Sequence, residues 1–108
     1  MRRAVILAAA VAVAVSGVTA EARPASPAGR GHKVAASRCG ACHAVEPAQT
    51  SAQPRAPTFA SIEMQHTAGL EGRLASLTRD GHYGMPAVAL TPAEVDDILA
   101  YIDSLHRR

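Results

Sequence analysis

Tryptophan is absent from this 108-residue sequence, and its aromatic residues are only Phe59, Tyr83 and Tyr101. A small domain with so few large rings has little with which to close a core. Something other than side chains is expected to fill its middle. Cysteine is nearly absent too, with Cys39 and Cys42 standing three positions apart. That spacing argues against a structural disulfide, because a bridge stabilises most when it closes a long loop. No charge of one sign dominates, since 11 Lys and Arg face nine Asp and Glu. A basic stripe of the kind that binds nucleic acid is missing. So are alternating strand patterns and internal repeats, and an all-α domain is expected.

What is present begins with an export signal. Arg2 and Arg3 precede an unbroken apolar stretch from Ala4 to Val15, and small residues follow. This is the layout of a secretory signal peptide, with cleavage expected after Ala20 or Ala22. The alternative is an uncleaved anchor, for which the uncharged run from Ala4 to Ala20 is marginal in length. Cleavage is the reading adopted, which places the protein in the periplasm and off the membrane. Removing residues 1–22 from 108 leaves 86, enough for one domain. It also takes Arg2, Arg3 and Glu21, so nine basic residues then face eight acidic ones.

Residues 23–30 (R-P-A-S-P-A-G-R) read as a flexible lead-in, and residues 31–108 as the folded domain. A short helix is expected from Gly31 to Arg38, leading into C-G-A-C-H at residues 39–43. Residues 46–57 hold three prolines and form a loop. A second helix is expected over Thr58–Thr67. A third, over Gly69–Thr78, places Leu70, Leu74 and Leu77 on one face. Two glycines and a proline break the pattern over residues 79–90. The last helix is the clearest: Thr91 as N-cap, Pro92 at the first position, and Glu94 completing a capping box. Val95, Ile98, Leu99, Ile102 and Leu105 then recur at helical spacing. The basic end at His106, Arg107 and Arg108 suits the helix dipole.

Closely spaced cysteines serve three chemistries. A redox dithiol belongs at a strand-to-helix junction, and no strand is expected here. A structural zinc site needs four ligands, and no second pair of metal-binding residues at the usual spacing exists. Covalent haem attachment is the established reading of C-x-x-C-H. Two thiols on one turn reach the two vinyl-derived carbons along one porphyrin edge, and His43 follows beneath the ring to bind iron. One haem c, held through Cys39 and Cys42, is therefore expected. On its other face the iron has Met64, Met85, His32, His66, His82 and His106 as candidates. Met85 is favoured, because G-H-Y-G-M-P is a non-helical loop far along the chain from the cysteines. His82 is its rival, although a loop histidine more ordinarily bonds its own loop. Met64 is read as core packing, and His32, His66 and His106 as solvent-facing.

Taken together, C-G-A-C-H, the A-P-T-F stretch, H-Y-G-M-P and the ending L-T-P-A-E-V-D-D-I-L-A-Y-I-D-S-L resemble the class I monohaem cytochromes c of bacteria. The resemblance covers residues 31 to 105. It implies about four short helices wrapped around the haem, the first and last crossing at Gly31 and Tyr101. Ala35 stands where the family has an aromatic, a departure expected to loosen that crossing. The resemblance also implies that the Pro57 carbonyl accepts a hydrogen bond from His43 and that Phe59 packs on the haem edge. Arg55 and Arg73 are possible propionate contacts.

With His43 and Met85 as axial ligands the iron has no vacant position, which suits a single-electron carrier rather than an enzyme. A monomer exchanging electrons with redox partner proteins is expected. The alternatives are a fixed electron-transfer subunit of a periplasmic oxidoreductase, a five-coordinate haem sensor, and a thiol oxidoreductase.

Overall fold

The computed structural model describes residues 9–19, 23–65, 69–82 and 84–107, the side chains of residues 63–65 excepted. The expected cleavage positions Ala20 and Ala22, the Met64 side chain, His66 and Tyr83 lie outside the described residues. Four helices follow in order: α1 (Pro27–Arg38), α2 (Phe59–Gln65), α3 (Leu70–Asp80) and α4 (Pro92–His106). Among the described residues there is no strand. An isolated bridge between His82 and Met85 is the only strand-like pairing among them. The fold is all-α.

α1 begins four residues earlier than the composition suggests. Ser26 caps it, its Oγ accepting from the Gly29 N–H at 3.1 Å, and Pro27 occupies the first turn. Part of the 23–30 lead-in is therefore helix. A Ser-Pro pair is a helix start signal, and here it outweighs the small-residue composition around it. At the other end of the domain, α4 starts where its local signals place it. Glu94 Oε2 accepts from the Thr91 N–H at 2.8 Å, and Thr91 Oγ1 accepts from the Glu94 N–H at 3.2 Å.

α1 and α4 form the principal packing pair, and α2 and α3 also pack on α4. A Cβ built on Gly31 would lie 1.8 Å from the Asp97 carbonyl oxygen, so the two helices meet backbone to backbone. Beside this contact the Arg30 guanidinium grips the Asp97 carboxylate with two bonds of 2.8 Å. Ala35, Ile98, Tyr101 and Ile102 are buried around the crossing together with Val45 and Phe59. Ala35, which stands where the family has an aromatic, is fully buried at this crossing. Val34, Ile62, Leu70, Leu74, Leu90 and Leu105 lie half-buried against this cluster.

His32 departs from the solvent-facing expectation. Its ring packs on Tyr101 with centroids 4.9 Å apart, and its Nε2 pairs with Glu46. The cause is position: one residue past Gly31, it sits where α1 passes closest to α4. Residues 9–19 form no helix and leave Val11, Val13, Val15 and Val18 exposed. No helix among the described residues is long and apolar enough to cross a membrane.

Gly31→Ala is expected to destabilise the protein by about 3 kcal/mol or more, because two backbones must separate to admit the methyl group. Denaturant unfolding of the haem-loaded protein measures this. The Arg30 hydrogen bond, opposed by burial and aided by a smaller pull from the Arg30 charge, holds the Asp97 carboxyl below its usual range. A carboxylate with a depressed folded pKa contributes stability that is complete above the unfolded value, near 3.9, and is lost as pH falls through the folded one. Asp97→Asn is thus expected to be less stable than wild type at neutral pH, with the gap narrowing below about pH 4. Paired acid-unfolding curves read that convergence.

Candidate haem-attachment site

The site grows from the end of α1. Cys39 caps the helix, its N–H donating to the Ala35 carbonyl. The chain then coils once more, outside the helix proper. The N–H groups of Cys42 and His43 both donate to the Cys39 carbonyl, at 3.1 and 2.9 Å. This turn keeps both thiols and the imidazole on one short, hydrogen-bonded segment. Cys39 and Cys42 are free thiols, each half-buried, and Cys39 packs against the core cluster. Burial pushes the Cys39 thiol up, against a smaller opposing pull from Arg38. A reactive dithiol needs the reverse, a lowered thiol.

His43 is oriented by main chain. Its Nδ1 lies 2.8 Å from the Pro57 carbonyl oxygen, which can only accept. Nδ1 therefore carries the proton, and in the neutral ring Nε2 is left with its lone pair free for a metal. Phe59 is buried and meets the imidazole edge-on, with ring centroids 5.9 Å apart. The proline-rich loop that supplies Pro57 is itself tied down. Gln53 N–H donates to the Cys42 carbonyl at 3.1 Å, Ala44 N–H to Ser51 Oγ at 2.9 Å, and Phe59 N–H to the Ala44 carbonyl at 2.9 Å. From α4, the Tyr101 hydroxyl donates to the Val45 carbonyl at 2.7 Å. Ser51 and the Tyr101 hydroxyl were not legible as supports, because a serine in a loop and a tyrosine on a helix carry no such signal locally.

Met85 occupies a separate turn beyond α3. His82 and Met85 exchange backbone bonds of 3.0 and 2.7 Å around Gly84, whose φ is 81°. Met85 is half-buried and His82 exposed. The structure thus gathers Cys39, Cys42, His43, Pro57 and Phe59 on two linked segments, and holds Met85 on a third. Arg55 and Arg73 are both exposed. Two surface cavities, of about 310 and 650 Å³, lie elsewhere, and neither is lined by Cys39, Cys42, His43 or Met85.

The donor set fits a covalently held haem. Two unbridged thiols share a turn with an imidazole whose free nitrogen is set by its neighbour. Around them lies a core with one phenylalanine and a border of half-buried aliphatic side chains, which leaves apolar surface for a flat ring to cover. Among the described residues no three His, Cys, Asp or Glu side chains converge to hold a bare metal ion, so a zinc site lacks its ligands.

The comparisons with known proteins agree with this chemistry. The family model described as cytochrome C oxidase, cbb3-type, subunit III matches residues 26–102. A Cytochrome c-552 of Bradyrhizobium diazoefficiens is 38% identical over 81 residues, covering 75% of this chain and 77% of that protein. No solved structure gives a significant match. The chain belongs to the c-type cytochromes, the family of electron carriers with covalently bound haem, and among them to the small monohaem proteins.

Proposed function

We propose that the protein is a periplasmic single-electron carrier with one haem, tethered by Cys39 and Cys42 and ligated by His43 and Met85. The observation that carries this reading is the 2.8 Å bond from His43 Nδ1 to the Pro57 carbonyl, on the same turn as two free thiols. The haem, when bound, supplies a one-electron iron couple. The chain's own residues keep that couple in place. The Pro57 carbonyl holds the imidazole in one orientation and strengthens Nε2 as a donor. Phe59 packs edge-on against the imidazole. Met85 offers a neutral thioether, which favours the reduced ion and raises the potential.

With His43 and Met85 both holding the metal, no position on it would be open to a substrate, and the protein would do no bond-breaking chemistry of its own. Export rests on the Arg2-Arg3 pair and the apolar run that follows. A monomer making brief contacts with donor and acceptor proteins fits a small, nearly neutral mature domain. A second reading has one observation in its favour. The matched family model is described as an oxidase subunit, which suits a fixed electron-transfer subunit of a larger periplasmic complex. Stable co-purification with an oxidase would favour it over the free carrier.

The test is a visible spectrum, oxidised and reduced, of protein co-produced with a cytochrome c maturation system. The wild type is expected to show a low-spin reduced spectrum, haem that resists acid-acetone extraction, and a far-red sulfur-to-iron band. Met85→Ala is expected to lose that band and keep the haem. A band that survives the substitution rules Met85 out. Haem extracted from the wild type rules out the tethers.

A further inference from the structure

The chain between α3 and α4 carries Met85, and its course is set by four contacts. It leaves α3 through Gly81, with φ 74°, where a Cβ would lie 2.9 Å from the Met85 carbonyl oxygen. It closes on itself in the His82–Met85 turn. Val88 N–H then returns to α3, donating to the carbonyl of buried Thr78 at 2.7 Å. At the next residue the chain is joined to α1 instead. Arg38 Nη1 donates to the Ala89 carbonyl at 3.1 Å, across 51 residues of sequence.

Arg38 is the last residue of α1 and the neighbour of Cys39. α1 is itself held to α4 by the backbone contact at Gly31. The guanidinium therefore connects the rigid segment bearing the thiols and His43 to the segment bearing Met85, four residues from the methionine itself. A thioether is a weak ligand. It stays on a metal only if its backbone is held where the sulfur needs to be.

We propose that Arg38 is a positioning residue for Met85, acting through the Ala89 carbonyl to hold the methionine-bearing segment closed toward the His43 segment. The proposal rests on Met85 being the sixth ligand. If Arg38 merely complemented the dipole at the end of α1, its loss would lower thermal stability and leave the methionine as firmly bound as before.

Imidazole competition on the oxidised, haem-loaded protein separates these roles, with displacement of Met85 followed by the far-red band and thermal midpoints measured alongside. Arg38→Ala is expected to bind imidazole about three- to tenfold more tightly than wild type, the range for loss of one exposed, charge-assisted hydrogen bond. Arg38→Lys, which retains a donor, is expected to fall between the two. Arg30→Ala breaks the pair to Asp97 without touching the Ala89 carbonyl, and is expected to lose thermal stability while its imidazole affinity stays at the wild-type value. Equal imidazole affinity in wild type and Arg38→Ala would overturn the positioning role while leaving Met85 as ligand. Absence of the far-red band from the wild type would overturn the Met85 ligation and the positioning role together.

Discussion

The Asp97 carbonyl oxygen occupies the space that a side chain on residue 31 would need, so α1 and α4 touch only because that residue is glycine. This backbone contact gives the other elements their positions. Ala35, one turn further along α1, is small enough to be enclosed completely, and Ile98 and Ile102 fill the space opposite. Arg30 reaches across to Asp97 beside the contact, and Tyr101 extends from α4 toward the chain beyond the cysteines. With α1 held in this way, Cys39, the residue after its end, has a defined place and direction.

From that stem the arrangement is completed by main chain more than by side chains. The Pro57 carbonyl orients His43, and Pro57 sits in a loop whose composition alone suggests a plain linker. Its rigidity comes from the Gln53 and Phe59 N–H groups, which donate to the Cys42 and Ala44 carbonyls, and from Ser51 Oγ, which accepts from the Ala44 N–H. Proline removes donors and limits φ, so few additional bonds are needed to hold such a segment. His32 and Glu46 add a further pairing, between α1 and the start of this loop, beside the ring of Tyr101. The same helix crossing therefore supports the histidine from two sides.

The chain also illustrates how a small domain manages with very few aromatics. Phe59 serves both as core and as the edge contact for His43. The remaining apolar groups around it are aliphatic and only half-buried. A core of that kind is marginal without a prosthetic group, and the free, partly buried thiols stand at its border. The group that the thiols would hold would also cover the apolar surface beside them.

Much of this was legible from local signals. The C-G-A-C-H run stands out as a candidate attachment motif because thiols and imidazole are adjacent in sequence, and α4 is legible because a capping box and a helical period involve residues within one or two turns. The start of α1 was missed because the Ser26-Pro27 signal lies in a stretch whose composition resembles a linker. His32 was misplaced because its environment is made by Tyr101 and Glu46, 69 and 14 residues away. By itself, then, the sequence determined the helical class and marked out a candidate attachment motif and candidate ligands, all of which depend on short-range spacing. The resemblance already implied the Pro57 carbonyl for His43 and Gly31 for the helix crossing. Only the tertiary structure decided that His32 meets Tyr101 and Glu46, that Ser51 helps tie down the proline-rich loop, and that Arg38 ties the Met85 segment to α1. Those are pairings between residues of different segments, and no local pattern encodes them.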